Sequence, residues 1–206
     1  MKRFSILCVI CCLATTSALA QKADVAFIVG GLFGTTTNVV VLGPVAPLPG
    51  TFKTDAHLFL EGALGVRLVD AKAFSLLLEA PVAGITSQNL NTLVSAFSFT
   101  NKLSTVFITP GLRVKILPAE LVSPWVSFGG GWAHYSVDGG HKTNKGAIQY
   151  GFGLDFKTGV PLLGFRVELR DFVTGEPNFG LQTVVSGEGG LHRHNFLAGG
   201  GIVLRF

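Results

Sequence analysis

From Asp24 onward, apolar and polar side chains alternate along the chain in segments of about ten residues. The pattern is clearest in two places. In Ala147–Lys157, Ile148, Tyr150, Phe152, Leu154 and Phe156 alternate with Gln149, Gly151, Gly153, Asp155 and Lys157. In Gly164–Val173, Phe165, Val167 and Leu169 alternate with Arg166, Glu168 and Arg170. A β-strand sends successive side chains to opposite faces, so each segment predicts a strand with one greasy and one polar face. The same period predicts strands over Asp24–Gly34, His57–Val69, Phe74–Ala83, Val106–Leu117, Pro124–Ser136 and Asn195–Phe206. Pro81 and Pro110 fall inside two of these and each removes a ladder donor, which asks for a bulge or a later strand start. No segment has convincing helical periodicity, so the expected class is all-β, an antiparallel up-and-down sheet.

The connections between these strands alternate in length. Thr35–Ala56, Gly84–Thr105 and Thr174–His194 are long, and Val137–Gly146 is intermediate. Asp70–Ala73, Pro118–Ser123 and Thr158–Leu163 are short. Transmembrane β-barrels segregate long external loops from short periplasmic turns in this way. A period of two does not by itself say which face is inside. The glycines do: Gly129, Gly131, Gly151, Gly153, Gly199 and Gly201 share the charged face. Small residues beside long Arg and Glu chains suit the narrow interior of an eight-stranded barrel, which side chains just fill. The greasy face is then turned to hydrocarbon. Phe74, Phe156, Phe165 and Phe206 fall at the ends carrying the short turns, and Trp132, Tyr150 and Phe196 toward the other ends, as two interfacial girdles would require.

Composition sharpens this. Mean hydropathy is +0.51 and only 14% of the residues are charged, yet no stretch after Gln21 offers the ~20 unbroken apolar residues of a membrane helix. A greasy chain without a helical span has the closed barrel as its membrane solution. The formal net charge is +4, two units of it from Lys2 and Arg3. No basic block suggests nucleic acid as a partner. Residues 1–20 read as a secretory signal peptide: basic Lys2-Arg3, apolar Phe4–Leu13, and Ala18-Leu19-Ala20 before Gln21. Residues 21–206 form the barrel domain. Cys8, Cys11 and Cys12 all lie in the leader, so the mature chain is expected to have no disulfide.

The last stretch, Asn195–Phe206, ends on an aromatic residue. It resembles the C-terminal signal of bacterial outer-membrane barrels, in which a terminal Phe is read by the barrel-assembly machinery. Together with the strand and loop pattern, nearly all of residues 21–206 resembles the small barrels of the OmpA transmembrane-domain, OmpX or OmpW class. The resemblance implies the bacterial outer membrane as location, its lipid as surroundings, a monomer, and long surface loops as the points of contact with partners. It implies no cofactor.

The expected lumen carries Glu61, Glu79, Asp155 and Glu168 with Arg67, Arg113, Lys115, Arg166, Arg170 and Arg205. So many charges in a narrow space must pair, because an isolated buried charge is prohibitive. The expected role is a structural network that plugs the barrel and leaves no porin-like channel. An alternative lies at His134-Tyr135-Ser136, which resembles the His-x-Ser element of the outer-membrane lipid A deacylases and would make His134 and Ser136 catalytic. Val137 stands where that family has Asn, and the next strand offers no carboxylate on that face to orient the base. The bland reading is a polar strand end and no enzyme. His192-Arg193-His194 lacks the acidic or Cys partners of a metal site. A second alternative, a soluble lipocalin-like carrier, would turn the greasy face inward.

Overall fold

The computed structural model describes residues 23–34, 36–42, 47–94, 97–138, 142–175, 183–185 and 193–206. The leader, its three cysteines, His141 and His192 lie outside the described residues. The described residues form twelve strands: β1 (Ala23–Leu32), β2 (Thr36–Leu42), β3 (Pro47–Thr54), β4 (His57–Asp70), β5 (Phe74–Val94), β6 (Phe97–Ile108), β7 (Gly111–Ile116), β8 (Val122–Val137), β9 (Lys142–Lys157), β10 (Leu163–Thr174), β11 (Thr183–Val185) and β12 (Arg193–Arg205).

Eight wall positions close a ring, with β6 and β7 serving as the two halves of one of them. Every pairing is antiparallel, in the order β1, β4, β5, β6/β7, β8, β9, β10, β12. Then β12 returns to β1, from Asp24 opposite Arg205 to Leu32 opposite Leu197. Ala23 and Phe206 exchange backbone hydrogen bonds at 3.3 and 2.8 Å. Closure leaves the ring without an edge. The seam is rich in glycine: Gly30 faces Gly199 and Ile28 faces Gly201. A Cβ at Gly201 would overlap the carbonyl oxygen of Phe27, so the two strands approach as only glycine allows.

The short turns at 71–73, 117–121 and 158–162 lie at the same end as Ala23 and Phe206. At the opposite end the structure corrects the expected loops. Most of Gly84–Thr105 is strand, because β5 runs on to Val94 and β6 begins at Phe97. Most of Thr35–Ala56 is the β2–β3 hairpin, and β3 pairs with the outer part of β5 from Thr54 opposite Leu90 to Gly50 opposite Val94. Thr, Asn and Ser are common along this extension, yet its backbone pairing persists. Thr100 Oγ1 donates to Asn91 Oδ1 at 2.9 Å across this extension. The register shift between Ile85 and Gln88 marks where β5 leaves the barrel, and Ser87 takes a positive φ of 57° there.

The two prolines meet at one break. The Pro81 carbonyl accepts from the Thr109 N–H at 3.4 Å, so the missing donor of Pro81 faces the gap between β6 and β7, where Pro110 sits. One interruption therefore accommodates both residues. Instead of the expected bulge or late start, the strand is broken in two.

The faces are inverted relative to a soluble barrel. Phe27, Leu60, Leu64, Leu78, Val126, Phe128, Phe152, Phe165, Val167 and Phe196 are exposed outward. Arg113, Arg166, Arg170, Glu79 and Asp155 are buried. Phe74, Phe165 and Phe206 are exposed at the short-turn end, and Trp132, Tyr150 and Phe196 nearer the other. Here Phe156 is only half-buried.

Candidate functional site

The lumen is the most highly organised part of the molecule, and it is built in tiers. The tier nearest the short turns is charged. Inward positions two residues apart on neighbouring strands supply it: Asp24 on β1, Glu61 on β4, Glu79 on β5, Arg113 and Lys115 on β7, Asp155 on β9, Glu168, Arg166 and Arg170 on β10. Glu79 is the hub. It accepts from Arg113 Nη1 at 2.8 Å, from Arg170 Nη2 at 3.0 Å and from Arg166 Nη1 at 3.5 Å. Arg113 also donates to Asp24 Oδ1 at 2.7 Å. Arg166 holds Asp155 through Nε at 2.7 Å and Nη2 at 3.1 Å, a bidentate fork. Asp155 also pairs with Lys115. Arg170 is ringed by three carboxylates: Glu79, Glu168 at 3.0 Å and Glu61 at 3.2 Å.

Trp125 stands in the middle of these cations. The guanidinium carbons of Arg166, Arg170 and Arg113 lie 5.0, 5.2 and 5.8 Å from its ring centroid. Guanidinium is weakly hydrated and stacks on aromatic faces, which suits it to a dry tier. Across the sheet Gly153 makes room for the indole, since a Cβ there would lie 2.6 Å from Trp125 Cζ2. The tier is thus a network of charge pairs, most of them between strands and one, Arg170–Glu168, within β10, in which a group's removal exposes its neighbours.

Of the residues expected in the lumen, Glu61, Glu79, Arg113, Lys115, Asp155, Arg166, Glu168 and Arg170 come together here. Arg205 stands at the mouth, 3.9 Å from Asp155. Arg67 stands apart: it pairs with Asp70 at 2.8 Å, at the β4 register shift near the short-turn end. Sequence reasoning missed Asp24 and Trp125. Both obey the inward parity, Asp24 with Ala26 and Ile28, Trp125 with Ser127 and Gly129.

The next tier outward is apolar, which the charged face of the sequence pattern did not foretell. Ile28, Phe59, Ile85, Phe107, Phe172 and Leu197 fill it. Phe107 stacks on Phe172 at 4.6 Å and meets Tyr135 edge-on at 6.3 Å. The Tyr135 hydroxyl shares a 2.7 Å hydrogen bond with Thr174 Oγ1. Tyr135→Phe is expected to lower unfolding free energy by about 1 kcal/mol, read as a shift in the denaturant midpoint. Arg193 closes this end, buried and within 3.3 Å of Thr54 Oγ1.

His134 and Ser136 lie on the outward face of β8, with lumenal Tyr135 between them. His134 Nδ1 is hydrogen-bonded to Asn144 Oδ1 at 2.6 Å. Ser136 has Ser104 and Lys142 as its cross-strand neighbours. No carboxylate is among these partners. On β12, His194 turns outward and hydrogen-bonds Asp171 Oδ2 at 2.6 Å. Among the described residues no group of His, Cys, Asp and Glu has the makings of a metal site.

The architecture is similar to that of the outer membrane protein OprG from Pseudomonas aeruginosa, with a TM-score of 0.58 and 8% identity, covering 90% of this chain and 97% of that one. Neisserial surface protein A aligns with a TM-score of 0.49 and 14% identity, over 87% of this chain and 97% of its own. The attachment invasion locus protein Ail of Yersinia pestis aligns with a TM-score of 0.42 and 12% identity, over 88% and 99%. At 8% identity the likeness to OprG is one of fold, the small antiparallel outer-membrane barrel. No family model matches the chain, and no curated protein matches it in sequence.

Proposed function

We propose that the protein is an integral, monomeric β-barrel of the bacterial outer membrane, exported by its leader and without enzymatic activity, that acts at the surface through the long connections of its outer end. The observation that carries this reading is the outward apolar belt wrapped around a filled lumen. Water on that belt would cost roughly 25 cal/mol for each Å² of apolar surface, so hydrocarbon is its natural surrounding. A soluble carrier would need the opposite arrangement, with its cavity greasy throughout and its charges outside. The sheet extension formed by β5, β6, β3, β2 and β11 rises from the end away from the chain termini, where it can meet partners or surface lipid. Phe206 acts in this reading as the signal for the assembly machinery.

The test is fractionation to the outer membrane together with heat-modifiable gel migration of the detergent-folded protein. A mature chain that stays soluble without detergent overturns the location. The plugged lumen carries its own expectation: purified protein in a planar lipid bilayer gives no steady conductance, and a sustained open channel overturns the structural role of the network. Unchanged acylation of lipid A in cells with and without the protein is the expected result for the absence of activity at His134 and Ser136.

A further inference from the structure

Asp171 breaks the rule that carboxylates of this barrel face the lumen. It follows Arg170, which points inward, and shares the outward parity of Leu169. Its neighbours in register are Tyr150 on β9 and Phe196 on β12, both exposed outward. Yet Asp171 itself is only 5% exposed. His194 donates to its Oδ2 from Nδ1 at 2.6 Å, the Asn195 N–H donates to its Oδ1 at 3.1 Å, and Tyr150 stands opposite it in the β9–β10 register. The imidazole in turn stacks on Phe196 at 5.6 Å. An ionisable group on a lipid-facing surface is costly and marks a functional site until shown otherwise.

Directly below this cluster lies an open groove of about 770 Å³ on the outer wall, lined by Phe33, Tyr150, Phe152, Leu169, Asp171 and Phe196. It runs obliquely from β8 across β9, β10 and β12 to the end of β1, four strand spacings or roughly 19 Å. That length suits a long acyl chain, and the groove is continuous with the apolar belt. Its upper end lies at the outer aromatic girdle, where the head of a lipid chain would sit. His194 uses Nδ1 on Asp171, which leaves Nε2, and Tyr150 keeps a hydroxyl that both donates and accepts. Arg170 beneath the groove sends its guanidinium inward to Glu79 and Glu168, so it offers a phosphate nothing. Asp171 would repel an anion.

We propose that this groove holds one acyl chain of an outer-leaflet lipid, with His194 Nε2 accepting a hydrogen bond from, and the Tyr150 hydroxyl donating one to, a neutral hydroxyl or amide group at the head of that chain. The site rests on the membrane location proposed above, and its test separates the two. The full chain, extracted in mild detergent and freed of lipid, is offered monooleoylglycerol, oleate or octadecene, and the adducts are counted by native mass spectrometry. Wild type is expected to retain one monooleoylglycerol in preference to both oleate and octadecene. His194→Phe keeps the stack on Phe196 and loses the nitrogen, and Leu169→Trp fills the groove from an exposed position. Each is expected to cut retention about tenfold. Equal retention by wild type and both variants overturns the site, as does a wild type that holds octadecene as well as monooleoylglycerol. The wild-type comparison decides the matter even where a variant fails to fold. Fractionation of the same cells keeps the failures apart: protein outside the outer membrane overturns the location, whereas outer-membrane protein without the preference overturns only the lipid site.

Discussion

Replacing Glu79 by alanine is expected to destabilise the folded barrel by roughly 3–5 kcal/mol, the penalty for breaking a buried ion pair from one side. Glu79 is 1% exposed and accepts from three arginines on two strands. Its loss leaves Arg113 with Asp24 alone, Arg166 with Asp155 alone, and Arg170 with Glu61 and Glu168. Three guanidiniums would then surround Trp125 with their central counter-charge gone. The measurement is urea unfolding of the barrel reconstituted in lipid vesicles. Fluorescence is a suitable probe, because Trp125 sits inside the network while Trp132 faces outward. Glu79→Gln keeps the volume and one acceptor and is expected to lose less. Glu120→Ala, in an exposed turn, is the control and should lie within about 0.5 kcal/mol of wild type. An unfolding midpoint for Glu79→Ala equal to that of the control would mean that water enters the tier and that the lumen is not dry.

The parts of this structure that can be read from sequence are those pressed between two different environments. β9 and most of β10 carry the outward apolar belt on one side and face the packed lumen on the other, so residue type alternates along them. A slip of one residue would turn every side chain to the wrong face. The outer half of β5 and the start of β6, beyond the register shift at Ile85, carry polar residues on both faces instead, Gln88 and Thr92 buried and Asn89 and Thr100 exposed. Their backbone pairs as well as any other, but Ser, Thr and Asn satisfy both faces, and the composition imitates a loop. The lumen was legible where it was charged. Phe59, Phe107 and Phe172 share the inward parity of Glu61, Arg113 and Arg170, yet bulk and hydropathy alone suggest the opposite face. Parity was the better guide there than residue type. The Asp171–His194 pair could not be seen at all, because only the β10–β12 register, with Val173 opposite His194, brings the two together.

The inversion of faces makes a prediction whose sign differs between a membrane barrel and a soluble one. Val167 is 46% exposed and lies on β10 between Arg166 and Glu168, both buried in the lumen. It is midway between Leu163 at the short-turn end and Asp171 at the level of the outer girdle. Val167→Arg is therefore expected to cost about 2–4 kcal/mol in a bilayer, the penalty for a cation near the hydrocarbon midplane. The same arginine at Leu162, exposed in the turn next to the interface, is expected to cost no more than about 1 kcal/mol. Placing a charge on the surface of a soluble barrel should do nothing or help solubility, so both variants would then match wild type. The comparison uses equilibrium unfolding in vesicles and needs no ligand or partner. A depth-dependent penalty, large at Val167 and small at Leu162, follows only if hydrocarbon is the solvent outside. Equal, negligible effects at both sites would sink the membrane placement, and with it the reason for sealing nine charged side chains inside so narrow a cylinder.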